Sequence, residues 1–228
     1  MGSSDLDLTP EPPVMELSEL VERISEAAAG TDRFLVGIAG PPGVGKSTAA
    51  AWLAGRLDRA VVVPMDGFHL AQSVLDAAGT ADRKGAPHTF DAAGFIALLR
   101  RLRTPSPDET VFAPRFDRDL EEPIAGAIDV GSSERIVVVE GNYLLVDDGP
   151  WSAVRSLLDV VVHLDLDPTI RVQRLVDRHI AHGRDAAAAR RWVEHNDDPN
   201  ATLVESCRSR ADAIVPVRSA GPAETPEA

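Results

Sequence analysis

The stretch Gly40-Pro41-Pro42-Gly43-Val44-Gly45-Lys46-Ser47 constrains this chain more than any other, because it fits G-x-x-x-x-G-K-[ST] at every position. The apolar run Phe34-Leu35-Val36-Gly37-Ile38-Ala39 precedes it, and a helical pattern follows from Lys46 to Leu57. A buried strand, a glycine-rich turn and a helix in that order present backbone N–H groups at a helix N-terminus, where negative charge is favoured. Glycines let the backbone curl closely around phosphates without β-carbon clashes. On this reading Gly40, Pro41, Pro42, Gly43, Val44, Gly45, Lys46, Ser47 and Thr48 hold a nucleoside triphosphate. Lys46 reaches the outer phosphates and the Ser47 hydroxyl ligates Mg²⁺. The motif by itself does not separate kinases from GTPases or motor ATPases.

The rest of the chain supplies a matching frame. Leu17, Leu20, Val21 and Ile24 fall on one face of a helix over about Glu16 to Ala29. Val61-Val62-Val63, Ile136 to Val139, Val160 to Leu164 and Ala213 to Val217 are further strand-like runs. Helices are expected from Asp91 through Leu102, near Trp151 to Leu157, and from Pro168 to about His182. Strands alternating with helices predict an α/β fold with a mostly parallel central sheet covered on both faces. The 228 residues suit one such domain, over about 16–218, with polar, proline-bearing tails at 1–15 and 219–228.

Composition narrows the partners. A net charge of −13 argues against general nucleic-acid binding, which rests on cations neutralising phosphates, and 4% aromatic content argues against stacking platforms for single strands. No apolar run reaches the roughly 18 residues that span a bilayer, and the lone Cys207 cannot form an internal disulfide. The expected location is the cytoplasm, with no membrane partner.

Ligands of open α/β sheets lie beyond the carboxyl ends of the strands. Asp66 follows Val61-Val62-Val63 and fits a base for an attacking hydroxyl, or a turn residue before Gly67. Glu140 ends the run Ile136 to Val139 and fits a metal-side acid, or a loop acid. Asp167, before Pro168, fits a helix cap. Arg171, Arg174 and Arg178 share one helical face, and the segment 171–191 carries arginines at 171, 174, 178, 184, 190 and 191 against only Asp177 and Asp185. A helical lid over about 171–192 that brings Arg174 and Arg178 to a transferring phosphoryl group is one reading; a solvated basic face is the other.

Several segments together resemble P-loop kinases related to uridine kinase, phosphoribulokinase and type I pantothenate kinase, and within that group bacterial fructose-transport-system kinase-like proteins. They are Gly40 to Ser47, Met65-Asp66-Gly67-Phe68-His69, Arg83 to Asp91, Pro114-Arg115-Phe116-Asp117-Arg118, Glu140-Gly141-Asn142-Tyr143 and Arg174 to His179. The resemblance implies a P-loop NTPase three-layer α/β/α fold and an ATP-dependent phosphotransferase acting on a hydroxyl of a small metabolite (a sugar, a nucleoside or a pantothenate-like alcohol). It implies ATP and Mg²⁺ as cofactors, Asp66 as catalytic aspartate and Glu140 near the metal. Around the acceptor it implies His69, Arg83, Lys84, His88, Asp117, Arg118 and Tyr143, and it allows a homodimer. Ala86 and His88 depart from the pantothenate kinase pattern, and the 117–118 region departs from the uridine kinase one. A regulatory ATPase without a metabolite acceptor is the competing class; no guanine-reading Asn/Thr-Lys-x-Asp and no Ser-Gly-Gly signature is present.

Overall fold

A computed structural model describes residues 11–218 apart from Pro105 and Pro107. In chain order its main elements are α1 (Leu17–Ala27), β1 (Phe34–Ala39), α2 (Lys46–Ala54), β2 (Ala60–Pro64), α3 (Gln72–Ala78) and α4 (Ala92–Arg103). Then come β3 (Val111–Asp117), β4 (Glu122–Val130), β5 (Ile136–Gly141), β6 (Val160–Asp165), α5 (Pro168–Ala181), α6 (Ala186–Trp192), α7 (Asp198–Ser206) and β7 (Ala213–Pro216). Short 3₁₀ turns link several of them, and a π turn at Val193–Asp197 joins α6 to α7.

The central sheet has five strands in the order β2-β5-β1-β6-β7, all parallel. Its strands are β-branched runs because both faces are covered. Alternate residues point to opposite sides. Leu35, Val137, Val139 and Val161 pack with Phe95, Leu99 and Leu102 of α4. Val36, Ile38, Val138 and Val162 pack with Leu20 and Ile24 of α1 and Leu53 of α2. The result is the expected three-layer α/β/α arrangement.

Three features differ from the sequence reading. The region 111–130 forms an antiparallel hairpin, β3–β4, standing as a separate two-stranded sheet. The segment Trp151–Leu157 makes 3₁₀ turns in place of an α-helix. Residues 13–15 do not hang free as a tail. Val14 bridges Ile214 in parallel, Met15 N donates to the Ile214 carbonyl, and Met15 is buried, so this stretch lies along β7. Residues 1–10 and 219–228 of the expected tails fall outside the described residues.

Helix ends follow their sequence signals. Asp91 accepts from Gly94 N at the start of α4, and Asp167 accepts from Thr169 N and Ile170 N ahead of Pro168 in α5. Phe95 is fully enclosed, edge-on to Phe68 at 5.2 Å and 6.1 Å from Trp151. We expect Phe95→Ala to cost about 3–5 kcal/mol of unfolding free energy, read from a denaturant midpoint at unchanged slope. A loss below about 1 kcal/mol would show that this face of the sheet is not tightly packed.

Candidate active site

The loop between β1 and α2 ends at Gly45, which caps α2 with φ of 105° in the left-handed region and offers no side-chain cap. The first-turn N–H groups of α2 are thus left for an anion. Lys46 Nζ reaches back over the loop to the Pro41 carbonyl at 3.1 Å. Burial pushes the Lys46 ammonium down to about 8, a shift that nearby Glu140 and Asp66 only partly offset. Ser47 Oγ donates to Glu140 Oε1 at 2.9 Å. Glu140 is 5% exposed and lies in register with both Ile38 of β1 and Pro64 of β2. Burial raises its carboxyl above the usual range, and the charge of Asp66 adds to that.

Asp66 does not come from the strand beside β1. β5 intervenes, so Glu140 is the inner carboxylate and Asp66 stands one strand further out, in the 3₁₀ turn Met65–Phe68 that ends β2. Gly67 explains the placement. A β-carbon there would lie 2.3 Å from the Pro114 carbonyl oxygen of β3, so only glycine lets the turn sit against the hairpin. Arg118, just past β3, puts Nη2 3.1 Å from Asp66 Oδ2. His69 Nδ1 pairs with the Asp66 carbonyl at 2.9 Å, and its ring packs at a tilt against Phe90 at 4.0 Å and Phe116 at 4.9 Å. Burial lowers the His69 pKa, favouring the neutral ring.

The arginines of α5 divide by environment. Arg171 is 7% exposed, with Nη2 on Asp198 Oδ1 at 2.8 Å and Nη1 donating to the Pro42 carbonyl at 3.4 Å; it fastens α5 to the loop. Arg174 comes close to the same loop: a β-carbon at Gly45 would sit 3.9 Å from its Nη1. Arg178 is pushed below its ordinary pKa by burial and then by Arg118, against the pull of Asp197 and Asp66. Among the described residues neither Arg174 nor Arg178 has an ion-pair partner. Arg184 lies over the Trp192 ring at 3.8 Å.

One cavity of about 910 Å³ collects these groups. Pro42, Gly43, Gly45, Lys46, Ser47 and Thr48 line it, with Asp66 and Glu140, and Arg174 and Arg178 face it from α5. Gly40, Pro41 and Val44 shape the loop from behind; Val44 is buried in the core. Of the acceptor-side expectations, His69, Lys84 and Arg118 reach the cavity.

The other four do not line it. Arg83 bonds the His195 carbonyl through Nη1, and the Tyr143 hydroxyl, fully buried, donates to the Gly85 carbonyl. Asp117 Oδ1 accepts from Asp119 N and Leu120 N at 3.0 Å each, shaping the hairpin turn, and His88 is exposed in its own 3₁₀ turn. Gln72, Asn142, Glu121, His179, Asp197 and Asn200, to which the sequence alone assigned no role, all line the cavity as well.

A family model described as "Phosphoribulokinase / Uridine kinase family" matches residues 35–221. The chain belongs to that family. It is thereby a small-molecule kinase that uses ATP. A Schizosaccharomyces pombe protein provisionally named uridine kinase C227.14 is 33% identical over 216 residues, covering 90% of this chain and 92% of that one. YggC of Escherichia coli K12 is 34% identical over 195 residues, or 83% and 80% of the two chains. Among solved structures, a provisionally assigned fructose transport system kinase from Silicibacter sp. TM1040 superposes with a TM-score of 0.82 at 39% identity, over 89% of this chain and all of that one. The expected family and the α/β P-loop fold are both borne out.

Because Gly67 sets the position of Asp66 by close approach, Gly67→Ala in this kinase should displace the turn. We expect kcat to fall at least about tenfold with nucleotide affinity within about twofold, measured by steady-state kinetics and nucleotide titration. Wild-type kcat in the variant would show that the turn tolerates the shift.

Proposed function

We propose that the enzyme transfers the terminal phosphoryl group of ATP to a hydroxyl of a small metabolite, with Asp66 as the general base. The observation that carries this reading is the convergence of Lys46, Ser47, Glu140 and Asp66 on one cavity that continues past Asp66 to the hairpin tip. That extra space suits an acceptor molecule, whereas a regulatory ATPase needs room only for water.

In this reading the α2 N-terminus and Lys46 hold the phosphates, and Arg174 and Arg178 balance the charge that spreads over the transferring group. Asp66 orients the acceptor hydroxyl and takes its proton; such a base contributes roughly 10²–10⁴-fold. Arg118 steadies the Asp66 carboxylate from the hairpin side. Ser47 and Glu140 suit Mg²⁺: both offer hard oxygens 2.9 Å apart, and a buried carboxylate gains from a cation beside it. Bound there, Mg²⁺ would neutralise charge on the outer phosphate oxygens.

The part of α5 beyond its Arg171 anchor, together with α6, acts as the lid. Leu175 and Val176 of α5, Ala189 of α6 and Val193 of the π turn form a small apolar cluster separate from the two clusters that cover the sheet. A unit with so few buried contacts opens at low cost, which closure over a ligand requires.

Asp66→Asn should abolish acceptor phosphorylation while the dissociation constant for ATP stays within about threefold, compared by product formation and calorimetry. Near-normal turnover in that variant would remove the base assignment. A pH effect follows from Lys46. Phosphate binding needs the charged ammonium, and the bound polyanion holds that proton more tightly than the ligand-free site does. Affinity is therefore full below about pH 8 and declines as pH rises past it. We expect KM for ATP to climb above about pH 8, approaching about tenfold per pH unit. A profile flat to high pH would contradict a buried, proton-losing Lys46.

A further inference from the structure

The cavity carries a second polar cluster that the phosphotransfer steps do not use. The π turn Val193–Asp197 inserts one residue into the helical path and re-aims the side chains that follow. It holds Asn196 and Asp197 inside the protein, and α7 adds Asn200 a turn later. Asn196 Nδ2 donates to the Lys84 carbonyl at 2.6 Å, and the His195 carbonyl accepts from Arg83, so the turn is stitched to the segment 83–85 beside the acceptor space. Asp197 Oδ2 pairs with His179 Nε2 at 3.0 Å. Asp197 is 7% and Asn200 4% exposed, and both line the cavity. The Asn200 amide makes no hydrogen bond within the described residues, which leaves both its donor and its acceptor for whatever the cavity holds.

The charges around this cluster are unlike those at the phosphate loop. Lys84 Nζ is already surrounded: the Glu121 carbonyl lies at 2.8 Å, Gln72 Oε1 at 3.3 Å and Glu121 Oε2 at 3.7 Å. Arg118 is paired with Asp66. Asp119 and Asp197 add further carboxylates to the cavity wall. Lys46, Arg174 and Arg178, by contrast, have no carboxylate within ion-pair distance among the described residues. The donor side is thus ready for a polyanion. On the acceptor side an anionic acceptor would meet carboxylates and two neutralised cations; the cations left are Arg178, shared between Asp197 and Asp66, and Arg184, which lies over Trp192.

We infer that Asp197 and Asn200 are specificity residues that grip neighbouring hydroxyls of an uncharged polyhydroxylated acceptor, a free sugar or the ribose of a nucleoside. This rests on the phosphotransfer reading and narrows it, since it sets aside acidic and phosphorylated alcohols. A hydroxyl both donates and accepts. The Asn200 amide does likewise, and the Asp197 carboxylate accepts, so adjacent hydroxyls satisfy the pair together. A site built this way discriminates strongly against an analogue lacking one hydroxyl, because a buried polar group then goes unpaired.

The test is Mg-ATP-dependent ADP release by the full chain, with Asp66→Asn as background. The acceptors are free pentoses and hexoses, ribonucleosides and their deoxy counterparts, and glycerate, pantothenate and pentose phosphates. We expect turnover with at least one uncharged diol, at least about tenfold lower kcat/KM for its deoxy form, and less still with the anionic acceptors. Asn200→Ala loses no hydrogen bond within the described residues, so its melting temperature should not move. Its acceptor KM should rise about tenfold with kcat and the ATP KM within about twofold, and Asp197→Asn should shift the same constant. An anionic acceptor preferred over every uncharged one overturns the inference and leaves the kinase reading intact. So does an unchanged acceptor KM in Asn200→Ala, or a panel in which no uncharged diol turns over. ADP release indifferent to every acceptor removes the phosphotransfer reading and this inference with it.

Discussion

Lys46, Glu140 and Asp66 are charged groups brought together at one pocket, and the two carboxylates bear on the protonation of Lys46 while Lys46 and Asp66 bear on that of Glu140. Taken alone, burial would strip the proton from the lysine and return one to Glu140. Opposite charges limit both shifts, while Asp66 and Glu140 repel each other. Such a constellation is costly in an empty fold and well matched to a triphosphate with its cation, because incoming negative and positive charge relieve the mismatch. Pre-set charge of this kind needs little reorganisation when the reaction occurs. The rest of the molecule serves to hold these groups at that spacing.

The parallel sheet performs that service through strand order. β5 threads between β1 and β2, which puts Glu140 beside the phosphate loop and Asp66 one strand outward. Close approach at Gly67 then locks the outer turn against β3, and Arg118 returns from the hairpin to meet Asp66. Two layers of enclosed aliphatic side chains stiffen the sheet from both faces. Groups on the strand ends of such a core are held firmly in place.

The sheet was legible in the sequence because a strand buried on both faces reads as an unbroken β-branched run, as at Ile136–Val139 and Val160–Leu164. Caps at Asp91 and Asp167 were legible because capping is a local hydrogen bond. Strand order was not, since nothing local records which strand slips between two others. The hairpin hid behind Pro114, Pro123 and Gly126, residues that argue against a strand yet are tolerated in an exposed two-stranded ribbon. Arg171, Arg174 and Arg178 look alike on a helical wheel. Only the loop carbonyl of Pro42 and the Asp198 carboxylate reveal that the first is a fastener.

The π turn was the least legible feature, because it breaks the 3.6-residue period by which helices are read. Its polar residues, Asn196, Asp197 and Asn200, stand out in the sequence but acquire meaning only when the turn points them inward. A helix that gives up regular bonding and buries amides and a carboxylate loses stability by doing so. Here that loss falls beside the cavity, next to the segment 83–85, and not in the well-packed layers under the sheet. The phosphate loop and its carboxylates fix the reaction type. The π turn belongs to a different element, so its side chains can be exchanged without disturbing the loop that carries Lys46 and Ser47.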